Sequence, residues 1–114
     1  MNVCIISGYF NPIHPGHISL IRDVKKSKTD CKLIAIVNND RQVTLKNTVP
    51  FLDESARCYI LQSVREVDEV FLAVDKDSTV VKSLESIKVD ARHKRDKIFF
   101  CNGGDRNPFS SAIP

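Results

Sequence analysis

Apolar residues are concentrated in short runs that alternate with amphipathic segments along the chain. Four of these runs lack the polar alternation of a half-exposed strand, which is typical of β-strands buried on both faces. Between the runs, apolar residues recur at helical spacing, as Ile18, Ile21 and Val24 do after the first run. The pattern predicts strands at residues 2–7, 31–37, 69–74 and 98–101, and helices over residues 17–28, after a capping Asp53 and after a capping Ser78.

The alternation of strands with helices predicts the fold class. Parallel strands require long crossover connections, which are usually helices, so this order of elements indicates an α/β protein with a parallel sheet. Because the strands have no polar face, we expect helices on both faces of a Rossmann-like, doubly wound sheet. The length of 114 residues fits a single domain of this kind.

Composition narrows the class of protein. Hydrophobic residues make up 42% of the chain and charged residues 27%, as in globular proteins. No run approaches the ~18 apolar residues of a membrane span, and no basic leader precedes the first apolar run, so we expect a cytoplasmic protein. Four cysteines without a Cys-x-x-Cys pair favour buried free thiols over zinc ligands or disulfides.

Charge gives only a weak indication of the ligand. The net charge of +3 fits an anionic small molecule as well as nucleic acid. Much of the positive charge lies in the stretch "KVDARHKRDK" at residues 88–97. Such a stretch is usually a solvated connection between elements, and we expect that role here.

The loop "GYFNPIHPGH" at residues 8–17 carries the clearest candidate chemistry. Gly8 permits a close turn after the strand, Gly16 permits a ligand to approach the next helix, and the amides at that helix start favour an anion. His14 and His17 can add imidazole donors to a phosphate bound there. The same two side chains could instead chelate a metal, although no third ligand is evident, or pack in the interior. The residues alone leave these alternatives open and favour phosphate binding.

Two more polar loops are predicted at the same edge of the sheet. The segment "NNDRQVTLK", which contains Lys46, follows the second strand, and "NGGDR" at residues 102–106 follows the fourth. In doubly wound sheets, ligands bind beyond the carboxyl ends of the strands, where the strand order reverses. We therefore expect the three loops to form one site.

These loops carry a family resemblance. The segment "GYFNPIHPGH" resembles the Gly-x-Phe-Asp/Asn-x-x-His-x-Gly-His signature of the cytidylyltransferase-like nucleotidyltransferases, which include glycerol-3-phosphate cytidylyltransferase and the adenylyltransferase of heptose synthesis. "LIAIVNND" is similar to the second strand of that superfamily and its Asp-ended turn, and "ESARCYILQSVREVDEVF" is similar to its arginine-containing helix and next strand. "FFCNGGDR" resembles its Gly-Gly-Asp or Gly-Asp-Asp loop. The likeness covers roughly residues 1–106.

The resemblance implies an activity for the single domain over residues 1–114. CMP or AMP would be transferred from CTP or ATP to a small phosphorylated alcohol or sugar, with release of pyrophosphate. Mg²⁺ would accompany the triphosphate without metal ligands from the protein, and the superfamily commonly forms homodimers; neither nucleic acid nor a membrane is an expected partner. An alternative is a remnant that binds a nucleotide or phosphate without turnover. The implied nucleotide-binding residues are Gly8, Tyr9, Phe10, Asn11, His14, Gly16, His17, Gly103, Gly104 and Asp105.

The resemblance also implies a catalytic set, which consists of His14, His17, Lys46 and Arg57. Lys46 matches a basic residue that reaches the phosphates, although a loop lysine taken alone is usually solvated. Arg57 would face the acceptor phosphate or the triphosphate, and otherwise would form a surface salt bridge with Asp53 or Glu54. Asp105, after two glycines, would lie near the nucleotide, and otherwise would be an ordinary turn residue.

The sequence departs from the superfamily pattern in three places. Asn11 stands where many members have aspartate, and Thr48 stands where cytidylyltransferases tend to have a second lysine, which weakens glycerol phosphate as the acceptor. "NGGDR" is closer to the loop of the heptose adenylyltransferase than to Gly-Asp-Asp, but base preference depends on backbone contacts, so CTP and ATP are about equally supported. The Arg-Thr-x-Gly-x-Ser-Thr-Thr phosphate motif is expected well after the Gly-Gly-Asp loop, whereas the sequence ends at "PFSSAIP", residues 108–114. Two explanations are an incomplete sequence and the loss of part of the triphosphate site.

Overall fold

The computed structural model of the protein describes residues 1–101. These residues form a four-stranded parallel sheet. The strands are β1 (Asn2–Gly8), β2 (Cys31–Val37), β3 (Glu69–Leu72) and β4 (Lys97–Phe100), in the spatial order β3-β2-β1-β4. β1 pairs with β2 along its whole length, from Asn2 opposite Cys31 to Gly8 opposite Val37. The strand order reverses beside β1, because β2 and β3 lie on one side of it and β4 on the other.

Helices cover both faces of the sheet. They are α1 (Pro15–Ser27), α2 (Asp40–Leu45), α3 (Glu54–Gln62) and α4 (Val81–Val89), followed by a short 3-10 turn at Ala91–His93. Ile21 of α1 and Leu61 of α3 pack with one face of the sheet, while Ile87 of α4 packs with the other. This two-sided burial explains the strands without a polar face, and it confirms the predicted Rossmann-like α/β class.

α1 begins earlier than the apolar spacing predicts. It starts at Pro15 rather than at residue 17, because Pro is favoured in the first turn of a helix and His14 precedes it as a capping residue. Lys25 and Lys26 lie in its last turn, where positive charge interacts favourably with the helix dipole.

α2 replaces the polar connection that was predicted after the second strand. It has six residues, too few to give a clear helical repeat in the sequence. The Asn39 side chain caps it by accepting from Gln42 N at 2.9 Å, and Gln42 and Val43 are fully buried. This short helix carries the chain from the end of β2 to Lys46, which is its C-terminal cap.

The predicted cap of the fourth helix is wrong. α4 begins at Val81 rather than after Ser78, and the residue before it, Val80, makes no side-chain capping bond. The buried Asp75 carboxylate takes that role by accepting from the amides of Lys82 at 2.8 Å and Ser83 at 3.1 Å. The cap is thus supplied from the end of β3, which local sequence signals do not indicate.

The cysteines and the basic stretch agree with the sequence predictions. All four cysteines are free thiols; Cys4, Cys31 and Cys101 are buried. Burial in the core raises the pKa of Cys31 to about 12. The basic stretch is mainly exposed and connects α4 with β4, where Arg92 pairs with Asp90 and Glu69. Within residues 1–101, no helix is long and apolar enough to cross a membrane.

Candidate active site

A cleft of about 410 Å³ lies between the loop after β1 and the segment after α2. Because β1 and β2 are parallel neighbours, the chain leaves both strands at the same edge of the sheet. The structure therefore brings His14, His17 and Lys46 together although they are distant in sequence. The residues that line the cleft are Tyr9, Phe10, Asn11, Pro12, His14, His17, Lys46 and Thr48.

The two imidazoles are part of the start of α1. Nδ1 of His14 accepts from Gly16 N at 3.1 Å, and Nδ1 of His17 accepts from His14 N at 3.0 Å. These are the two reciprocal bonds of a capping box, with imidazoles in place of the usual hydroxyl and carboxamide. The ring centroids lie 3.9 Å apart with an interplanar angle of 31°, so the rings are in contact and tilted relative to each other. The sequence predicted the pair at this helix start but not its capping role.

The capping bonds determine which nitrogen of each ring is the acceptor. A neutral imidazole that accepts a hydrogen bond at Nδ1 carries its proton on Nε2. Burial, together with the neighbouring His14 ring, lowers the pKa of His17 and favours this neutral form. Both rings line the cleft, and because Nδ1 of each ring is an acceptor in the cap, each can offer an Nε2–H donor to an anion there.

The glycines of the loop make room for rings. A Cβ on Gly16 would lie 2.9 Å from Cε1 of His14, and a Cβ on Gly8 would lie 3.1 Å from the Phe10 ring. The space beside Gly16 is thus taken by the His14 ring, whereas the sequence predicted that a ligand would approach there. Phe10 is buried, has a φ of 49° and lies 4.9 Å from the His17 ring, centroid to centroid. Its side chain supports the histidine from the core side.

The segment that carries Lys46 is held against the first loop by side-chain contacts. Lys46 Nζ lies 4.3 Å from the centroid of the Tyr9 ring, in a cation–π contact. Asn11 donates from its amide to Val49 O at 3.1 Å and accepts from Phe51 N at 2.6 Å. Asn11 therefore connects the two walls of the cleft, and the nucleotide contact predicted for it stays a prediction.

Arg57 is buried behind the loop that lines the cleft, whereas the sequence predicted that it would face a phosphate. It is 1% exposed. Its Nη1 donates to Tyr9 O and Asn38 O, both at 2.7 Å, and its Nε donates to Leu52 O at 3.0 Å. Its Nη2 pairs with Asp40 Oδ1 at 2.7 Å. Each nitrogen of the guanidinium thus has at least one protein acceptor, and Arg57 fixes the positions of the segments around the cleft.

The alternative predicted for Arg57, a surface salt bridge with Asp53 or Glu54, is also wrong. Asp53 instead caps α3 by accepting from Ala56 N at 2.8 Å, and Glu54 accepts from Asp40 N at 2.9 Å. Both carboxylates thus accept hydrogen bonds from backbone amides, and the acidic partner of Arg57 is Asp40.

Three residues of this region were not assigned to the site from the sequence, although Thr48 was noted as a departure from the superfamily pattern. Pro12 and Thr48 line the cleft, and Asp40 holds Arg57. Thr48 lies two residues after Lys46 on the same segment, and its hydroxyl is a suitable phosphate donor, so its position could have indicated a site residue. Asp40 could have been recognised as a candidate because it follows the second predicted strand, at the edge of the sheet where ligands bind.

Part of the predicted site falls outside the described residues, namely Gly103, Gly104, Asp105 and the segment at residues 108–114. Within residues 1–101, no cluster of three or more His, Cys, Asp or Glu side chains could hold a metal ion. The observed geometry of the histidine pair, with both Nδ1 atoms accepting backbone hydrogens, is that of a helix cap.

Comparison with known proteins decides the family. The cytidylyltransferase-like family model matches residues 5–108, nearly the whole chain and all of the cleft. The chain belongs to the cytidylyltransferase-like family. The resemblance predicted from the loop motifs is therefore confirmed, and the cleft lies within the matched residues.

Three relatives that are similar in sequence to this chain are archaeal FAD synthases. FAD synthase of Methanothermus fervidus is 32% identical over 85 residues, which cover 74% of this chain and 57% of the relative. FAD synthase of Ferroglobus placidus is 31% identical over 90 residues, covering 79% and 56%, and that of Korarchaeum cryptofilum is 36% identical over 70 residues, covering 60% and 48%. The chain thus spans about half the length of these curated relatives.

A solved structure supports the fold. The lipopolysaccharide core biosynthesis protein from Thermoplasma volcanium superposes with a TM-score of 0.69 at 24% identity. The match covers 79% of this chain and 70% of that protein. At this level of identity the likeness concerns the fold alone.

Proposed function

We propose that the chain is the adenylyltransferase domain of an FAD synthase, which joins AMP from ATP to the phosphate of FMN. The observation that carries this proposal is the pair of imidazoles that line the cleft and whose Nδ1 atoms accept hydrogen bonds from the backbone in the helix cap. Family membership supports nucleotidyl transfer, and the relatives named FAD synthase support ATP over CTP and FMN as the acceptor.

The reaction is a single displacement. A phosphate oxygen of FMN attacks the α-phosphorus of ATP, the new P–O bond forms, and the bond to the bridging oxygen breaks with its electron pair leaving on pyrophosphate. The chemistry needs charge stabilisation more than covalent help, because negative charge is spread over phosphate oxygens throughout. A divalent cation such as Mg²⁺ arrives with ATP as part of the substrate and neutralises part of its charge.

The residues of the cleft take distinct roles in this reaction. The Nε2–H groups of His14 and His17 donate to oxygens of the α-phosphate as negative charge moves toward the leaving pyrophosphate. The amides at the start of α1 add the partial positive charge of a helix N-terminus. Lys46 leaves the Tyr9 ring to approach a phosphate as a mobile point charge, which a flexible ammonium group can do at little steric cost.

The test must separate capping from catalysis, since the same rings do both. His14→Asn and His17→Gln keep acceptors that suit the two capping positions while removing the imidazoles. We expect both variants to retain the unfolding temperature within a few degrees and to lose nearly all pyrophosphate release from ATP in the presence of FMN and Mg²⁺. His14→Ala should also lose turnover, with an additional loss of about 1 kcal/mol from the missing cap.

Controls and alternatives use the same assay. Lys46→Ala should reduce turnover, whereas Lys94→Ala, which removes an exposed lysine of the basic stretch, should leave it unchanged. CTP in place of ATP, and glycerol 3-phosphate in place of FMN, test the donor and the acceptor. If ATP raises the unfolding temperature but no acceptor yields pyrophosphate, the chain is a nucleotide-binding protein without turnover, and the proposal is wrong.

A further inference from the structure

Two exposed apolar side chains lie beside the proposed active site. Val49 is 78% exposed and Phe51 is 73% exposed, on the segment that joins α2 to α3. Leaving both in water forgoes the free energy that a large aromatic or branched side chain gains on burial. An exposed apolar surface next to a cleft is a typical feature of a ligand-binding surface.

The segment is fixed to the cleft. Asn11 lines the cleft, and its side chain holds both Val49 O and Phe51 N, at 3.1 and 2.6 Å. Two hydrogen bonds to alternate residues set the position of this short stretch of backbone relative to the loop after β1. Val49 and Phe51 are therefore presented at a defined place at the edge of the cleft.

Charge and apolar surface follow each other along this one segment. Lys46 and Thr48 line the cleft and supply a cation and a hydroxyl, and Val49 and Phe51 come immediately afterwards. A ligand that fits this order has a phosphate at one end and a large apolar group at the other. A polyol or sugar phosphate has only the first of these.

We propose that Val49 and Phe51 bind the planar aromatic ring of the phosphorylated acceptor while its phosphate lies in the cleft. This assignment rests on the proposed adenylyl transfer and adds the part of the protein that recognises the acceptor. An aromatic side chain is well suited to a flat heteroaromatic ring, because stacking is favourable with any such ring and requires no matched hydrogen bonds. The acceptor class is thus an aromatic phosphate monoester such as FMN.

The experiment measures FMN binding directly, by quenching of flavin fluorescence, and then the steady-state kinetics of pyrophosphate release. Phe51→Ser should weaken FMN binding and raise the KM for FMN by about tenfold, and Val49→Ser by a smaller factor. The KM for ATP should stay within about twofold of the unaltered protein. The matched control is Val89→Ser, because Val89 is 81% exposed but lies on α4, on the opposite face of the sheet from α1.

The outcomes distinguish this inference from the proposed function. If the unaltered protein adenylates FMN and both serine variants bind FMN as tightly as it does, the ring lies elsewhere and the inference is wrong. If no acceptor is adenylated at all, the proposed function fails instead, while the binding measurement still tests the surface. Sedimentation provides the last test: loss of a dimer in Phe51→Ser, with unchanged FMN binding, would assign the surface to self-association and overturn the proposal.

Discussion

Replacing Arg57 tests whether this arginine organises the site or touches a phosphate. Arg57→Met keeps much of the side-chain volume and removes all four hydrogen bonds, three to backbone carbonyls and one to Asp40. Asp40 is 36% exposed and can be solvated once its partner is gone, so most of the cost comes from the carbonyls that lose a donor, at about 1–3 kcal/mol for each buried group, and we expect a total of about 4 kcal/mol. Against a total stability of about 5–15 kcal/mol for a small domain, this is a large fraction.

Urea unfolding measures the loss. With a slope of about 2 kcal/mol per molar urea, a loss of 4 kcal/mol lowers the midpoint by about 2 M. Arg57→Lys keeps the charge but has a single nitrogen in place of the planar fork, so we expect about half of that loss. The control is Arg22→Met: this arginine is 60% exposed and has one ion pair, with Glu66 at 3.5 Å, and should change stability by about 0.5 kcal/mol.

The contrary outcome is equally specific. If Arg57→Met unfolds within about 0.5 M of the unaltered protein and yet no longer transfers a nucleotide, then the guanidinium contacts substrate and its buried contacts matter little. The structural account of Arg57 would then be wrong.

Three further variants test other contacts of the structure. Gly16→Ala places a Cβ 2.9 Å from the His14 ring and should reduce turnover by tenfold to a hundredfold by displacing that ring; unchanged turnover would contradict the packing. Burial lowers the pKa of His17 below its usual 6.5, so the unfolded chain binds more protons than the folded one just below pH 6.5, and the free energy of unfolding should fall as pH drops from 7.5 to about 5.5. Urea titrations should show a weaker fall in His17→Gln, and equal pH slopes would refute the assignment. Asp75→Ala removes the acceptor at the start of α4 and should cost about 2 kcal/mol in the same assay, whereas a loss below about 0.5 kcal/mol would show that the cap contributes little.

The sheet was predictable from the sequence because its two central strands are uniform. β1 and β2 are runs of apolar residues that are buried on both faces, whereas the shorter β3 and β4 each begin with a charged residue and are mainly half-buried. Strand ends were less accurate: the third strand ends at Leu72 rather than at residue 74, and the fourth is residues 97–100 rather than 98–101. The ends depend on pairing with neighbouring strands, which a single sequence does not show.

The contents of the site were predictable in part. His14 and His17 were found because glycine, proline and histidine in one loop indicate special chemistry, whereas Lys46 was found only through the family resemblance, which also implied the roles of all three. The position of Arg57 was not predictable, because its partners are backbone carbonyls of Tyr9, Asn38 and Leu52, and a carbonyl is present at every residue. Whether an arginine is buried or exposed depends on the fold around it, which a single sequence does not show.

The capping box of α1 has a consequence for the history of this family. Because the same imidazole atoms start a helix and line the cleft, a descendant that no longer needed the reaction would still be under selection to begin that helix. Its simplest replacements are amides of similar reach, asparagine at residue 14 and glutamine at residue 17, since they retain the two backbone contacts. We therefore expect a related chain with this pair to keep the fold without catalysing the reaction.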